Sequence, residues 1–136
     1  MRDWLVPTLL TLFAWGLWAF LPKLASKYID PQSSIIYQVL GGILVGLVVL
    51  ISLKFQVQFN IPGFSLSLAI GILGFFGAFM YLVAVSRGPL TLVAPVTALY
   101  PMFAILLGII FLGEAITLRQ GAGIGLSVVA IYLIST

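Results

Sequence analysis

Glu114 follows a run from Leu90 to Gly113 that holds no charge, in a chain whose other acids are Asp3 and Asp30. A carboxylate beside such a run is either an ionisable group at work in an apolar setting or the mark of the chain leaving it. Further polar groups lie inside apolar stretches. Thr8, Thr11, Trp15, Trp18 and Pro22 recur at spacings of three and four, so they share one helical face, with Leu10, Phe13, Leu17 and Leu24 opposite. Trp15 stands eleven residues beyond Trp4, about 16 Å along a helix axis, where an indole N–H needs a cavity or a polar neighbour. Aromatic packing against glycine-rich helices accounts for the same stripe equally well. Pro95 and Pro101 each remove a backbone donor and free a carbonyl upstream, beside Thr97 and Tyr100. Tyr37 with Gln38, and Tyr81, add hydrogen-bonding handles. These patterns select Thr11, Trp15, Trp18, Gln38, Tyr81, Thr97 and Tyr100 as substrate-binding residues, with helix breaks at Pro22, Pro95 and Pro101.

Much chemistry is excluded. Cysteine and histidine are absent, which removes disulfides, Cys/His zinc sites, thiol nucleophiles and histidine acid–base catalysis. The three acids are far apart in sequence, so no metal, no cofactor and no enzymatic activity are expected. The net charge of +3 needs no nucleic-acid partner, because basic residues at membrane edges give the same balance.

The elements that must position these residues are membrane spans. Of 136 residues, 62% are hydrophobic and 7% charged, whereas a soluble domain needs roughly a quarter charged to cover its surface. A transmembrane helix needs about 20 apolar residues. Five stretches meet or approach this, over about 4–25, 35–53, 65–86, 90–112 and 118–134. The first, from Trp4, has no A-x-A cleavage site after it and reads as a retained helix. The expectation is an all-α membrane protein, a single transmembrane domain over 1–136, whose joints hold the prolines, glycines and charges.

The Glu114 question has a structural answer in this frame. Gly113 is suited to end a helix, and Thr117 to Gln120 fits the S/T-x-x-E/Q capping box that starts the next. Glu114 then sits just before a helix N-terminus, which favours negative charge, within reach of Arg119. It reads as a hairpin anchor, with a functional ionisable group as the alternative. Lys23 and Lys27 either snorkel to the interface or attract an anionic group at a gate. Gly42-xxx-Gly46, Gly74-xxx-Ala78, Ala104-xxx-Gly108 and Gly121-xxx-Gly125 are spaced for close helix contact.

Two stretches carry a resemblance. "AWGLWAFLPKLA" resembles the first helix of EamA-type proteins of the drug/metabolite transporter superfamily, and "SRGPLTLVAPVTALYP…LLGIIFLGEAITLRQGAGIGL" resembles the end of the same domain. Trp15, Gly16, Lys23, Pro101, Gly113, Glu114 and Gly123 fall on motif positions, whereas Tyr28 to Phe64 match in hydropathy alone. The resemblance implies a five-helix repeat, most members having two of opposite orientation, with a cavity lined by the first four helices of each. It implies export or exchange of small metabolites across the cytoplasmic membrane. The glutamate that smaller multidrug-resistance relatives keep within helix one has no counterpart here, which weighs against proton antiport by that route.

Five spans place Arg2, Lys54 and Arg119 on one side and Lys23, Lys27 and Arg87 on the other. Equal counts leave the positive-inside rule without a preference. A chain inserted both ways pairs with itself as an antiparallel homodimer of ten helices. The leading expectation is therefore a small-metabolite transporter of the inner membrane working by alternating access, with a small-molecule substrate and the lipid bilayer as partners. Its alternatives are a non-transporting subunit of a hetero-oligomeric transporter and a lipid-translocating component.

Overall fold

The computed structural model describes residues 4–135; Arg2 and Asp3 lie outside them. Six helical segments follow in order: α1 (Leu5–Ala25), α2 (Pro31–Ser52), α3 (Ile61–Arg87), α4 (Leu90–Thr97), α5 (Tyr100–Leu112) and α6 (Leu118–Ser135). No strand occurs among the described residues. The chain that reads as one domain divides into two compact units, Met1–Arg87 and Gly88–Thr136.

In the first unit α3 packs against both α1 and α2. Ala78, Tyr81, Leu82 and Val85 are its buried stripe, at the i, i+3, i+4, i+7 spacing of one helical face. Two side chains tie α1 to this stripe. The Tyr81 hydroxyl donates to the Ala19 carbonyl at 2.8 Å, and Lys23 Nζ donates to the Val85 carbonyl at 2.7 Å. The second tie answers a covalent fact. Continuing the helical ladder to Val85 would require the amide of residue 89, which is Pro89 and has no N–H. Lys23 supplies the donor, and its charge suits the negative end of α3.

Both α2 and α3 begin four residues earlier than the sequence suggests, at Pro31 and Ile61 instead of Ile35 and Ser65. The residues that read as joints are caps. Asp30 accepts from the Ser33 amide and hydroxyl, each at 2.8 Å, and Pro31 takes the first helical position, where its missing N–H costs nothing. Asn60 Oδ1 accepts from the Gly63 amide at 2.7 Å, beside Pro62. The hydrogen bonds from Ser33 hold the Asp30 carboxyl below its ordinary range. A depressed folded value stabilises the helix above the unfolded pKa, and that contribution fades as pH falls through the folded value. Thermal unfolding of Asp30→Asn should accordingly lose part of the wild-type dependence in the acid range; an unchanged profile would remove the cap from the stability of α2.

Pro22 is not a break. α1 runs through it to Ala25, with Pro22 buried. The interruption expected between Pro95 and Pro101 takes the form of a turn at Ala98 and Leu99. Pro95 lies inside α4, whereas Pro101 falls in the first turn of α5, where proline is tolerated. In the second unit α4 packs on α6. Gly113, left-handed at φ 66°, ends α5. The capping box forms reciprocally: Thr117 N donates to Gln120 Oε1 at 2.8 Å and Gln120 N to Thr117 Oγ1 at 3.3 Å.

Each small-residue pair has one member engaged within its own unit. A Cβ on Gly42 would lie 3.1 Å from Phe75 Cζ, whereas one on Gly46 or Gly74 would meet nothing. Ala78 and Gly108 are buried, and Ala104 is exposed.

Candidate binding site

α1 presents Trp18, Leu21, Pro22 and Ala25 on one face, and the first turns of α2 present Ser34, Tyr37 and Gln38 at i, i+3, i+4. The short connection between them is folded tightly. Tyr28 N donates to the Ala25 carbonyl at 2.9 Å and Ile29 N to the same carbonyl at 3.0 Å. With the Asp30 cap fixing the start of α2, these faces border an open concavity of about 310 Å³ completed by Ile29. That lies near the lower end of small-molecule pockets.

Trp18 is held from behind. Its ring stacks on Tyr81 with centroids 5.5 Å apart and planes 25° apart, and Tyr81 is itself tied to the Ala19 carbonyl. The indole therefore presents a fixed aromatic surface to the concavity. No hydrogen bond within the chain engages the Tyr37 hydroxyl or the Gln38 amide among the described residues. Tyr37 is exposed and Gln38 half-buried near the start of α2, so both are open to a partner from outside the chain. No lining residue carries charge.

The structure thus brings Trp18, Pro22 and Gln38 together, with Tyr81 supporting Trp18. Other expected residues are placed elsewhere. Thr11 donates to its own Pro7 carbonyl at 2.9 Å, and Trp15 does not border the concavity. Lys23 is engaged with α3. In the second unit the Thr97 hydroxyl is shared between the Val93 and Ala94 carbonyls at 3.0 Å each, and Tyr100 opens α5. Ser34 joins this face because α2 starts at Pro31, four residues before the apolar stretch from Ile35. The signal was present: Ser34, Tyr37 and Gln38 share a face once Asp30-Pro31 is read as a helix start.

A second concavity, of about 460 Å³, lies within the second unit and includes Ile105, Glu114, Gln120 and Ser127. Gln120 and Ser127 are bonded locally, whereas the Glu114 carboxylate makes no ion pair with Arg119 among the described residues. Glu114 folds over Gly108, where an added Cβ would lie 3.0 Å from its Oε2. Gln120 Oε1 belongs to the cap, and Ser127 donates to the Gly123 carbonyl at 3.0 Å. Arg119 lies in the first turn of α6. The Tyr37 hydroxyl and Gln38 amide of the first concavity make no such local bond among the described residues.

Four helical stretches are long and apolar enough to cross a bilayer, Leu5–Ala25, Pro31–Ser52, Ile61–Arg87 and Leu90–Leu112, with a shorter apolar helix over Leu118–Ile134. They define a multi-pass membrane protein. Residues 3–136 match the EamA-like transporter family, and the chain belongs to it. The family assigns a transporter-like role, which brings a small-molecule substrate and a membrane setting. No curated protein and no solved structure matches the chain.

Proposed function

We propose that this chain moves a small metabolite across the cytoplasmic membrane, as an exporter or exchanger, by alternating access within an antiparallel homodimer. The observation that carries the reading is the concavity between α1 and α2. It joins a braced indole surface to the uncommitted Tyr37 hydroxyl and Gln38 amide. Absence of charge from its lining suits the uncharged part of a substrate. In this reading Thr97 and Tyr100 mark the interrupted stretch of α4 and α5, and Glu114 anchors its hairpin.

The dimer rests on the balance of charges. Lys54 and Arg119 with Arg2 oppose Lys23, Lys27 and Arg87 when five spans alternate. Glycines whose Cβ position is open, Gly16, Gly46 and Gly74 among them, offer close-approach surface to a second copy.

Two measurements test this. Proteoliposomes containing this chain alone should accumulate a metabolite that also raises its thermal stability, since ligands selective for the folded state do so. Binding without transport would point to a subunit that needs another chain. A single cysteine replacing Gln56, in a sequence with no other cysteine, should react with impermeant reagent from both membrane sides. Reaction from one side alone would eliminate the antiparallel dimer.

A further inference from the structure

The connection between α2 and α3 has features that a simple turn does not need. α2 ends in a Schellman arrangement: Lys54 N donates to the Ile51 carbonyl at 2.9 Å and Phe55 N to the Leu50 carbonyl at 3.1 Å. The left-handed position of this motif ordinarily belongs to glycine. Here Lys54 adopts φ 50° and Phe55 follows at φ 63°. Two consecutive residues with side chains occupy a backbone region that disfavours them. The chain then runs through Gln56, Val57, Gln58 and Phe59 without helix or strand. Past the left-handed pair, polar and apolar residues alternate through Gln56, Val57, Gln58, Phe59 and Asn60. In an extended chain such alternation sends the two kinds to opposite sides.

The apolar members are not covered by this chain. Phe55, Val57 and Phe59 are 69%, 64% and 74% exposed. Phe59 touches Phe64 in the first turns of α3, with ring centroids 5.7 Å apart. Both flanking helices are of membrane-spanning length and hydropathy, so the connection lies where a bilayer meets water. Its backbone is not helical, and unpaired amides are not tolerated in the hydrocarbon region. The backbone of this connection therefore lies outside the hydrocarbon core.

We propose that residues 54–59 form an interfacial seat on the phospholipid bilayer, with Phe55, Val57 and Phe59 entering the acyl boundary and Lys54, Gln56 and Gln58 facing the headgroups. Lys54 and Phe55 keep their left-handed positions because both side chains engage the membrane, which glycine could not do. The seat needs no anionic lipid, since one lysine is its only charge.

The test is a nitroxide scan over residues 55 to 59, one cysteine at a time, in phosphatidylcholine vesicles. Accessibility to oxygen relative to a water-soluble nickel chelate should be several-fold higher at positions 55, 57 and 59 than at 56 and 58. Five positions equally open to the nickel reagent would overturn the proposal. Spectral broadening that disappears on dilution with unlabelled protein would also overturn it, by showing that the segment pairs with a second copy. Should labels at the phenylalanines prevent folding, Val57→Trp and Gln58→Trp give the same comparison. Brominated lipid should quench the first more strongly and iodide the second, and equal quenching by both reagents would refute the seat.

Discussion

A Trp18→Ala variant is expected to bind the substrate about thirtyfold more weakly than the native chain, or worse. Removing a braced aromatic anchor from a concave site costs about 2 kcal/mol or more. Trp18 stacks on Tyr81, so truncation also disturbs packing, and Trp18→Phe separates the two effects. Phenylalanine keeps a ring against Tyr81 and should preserve thermal stability, while its smaller surface gives an intermediate affinity. Gln38→Ala should weaken binding without altering the fold, because no hydrogen bond among the described residues uses that side-chain amide. Leu10, exposed at a different level of α1, serves as control. The ligand is the metabolite selected by thermal shift, and affinity is measured on variants that purify as the wild type does. If Leu10→Ala weakens binding as much as Trp18→Ala, the concavity is not the site.

The second large effect is expected at Lys23. Lys23→Met leaves the Val85 carbonyl without its cationic donor and should lower stability by about 1.5 kcal/mol, the low end for a charge-assisted hydrogen bond because this one is only part-buried. Lys23→Arg can still donate and should recover part of the loss. Tyr81→Phe removes the neighbouring tie and is expected to cost about 1 kcal/mol. Because the two bonds join the same pair of helices, their losses should not simply add. Unfolding in mixed detergent micelles reads these three variants and the Lys23→Met/Tyr81→Phe double variant. A Lys23→Met chain as stable as the native one would show that the lysine merely extends to the interface.

The features legible in the sequence were those settled by neighbours along the chain. Thr117 and Gln120 announced their cap because both partners lie within four residues, and Gly113 announced a helix end because left-handed backbone favours glycine. Trp18 and Gln38 stood out as polar or amphipathic groups in apolar runs. The partners of Tyr81 and Lys23 were not legible. Each lies 62 residues away on another helix, and their acceptors are backbone carbonyls, which every residue type carries. Proline is ambiguous in both directions: Pro31 and Pro62 read as joints but open helices, and Pro22 reads as a break but lies within α1. The end of α2 gave no warning either, because its left-handed turn uses Lys54 where a glycine would have been the clue.

The two ties between α1 and α3 have the same separation, since Ala19 meets Tyr81 and Lys23 meets Val85. Four residues along one helix match four along the other, so the two helices run in the same direction and are latched one turn apart. A latch of this kind resists one motion and permits another. Sliding by a turn, about 5.4 Å, would break both bonds together and drag Trp18 off its stack. Tilting the pair as one rod breaks neither. Any transport stroke that uses this unit is therefore expected to carry α1 and α3 as a single lever, with Trp18 travelling on it.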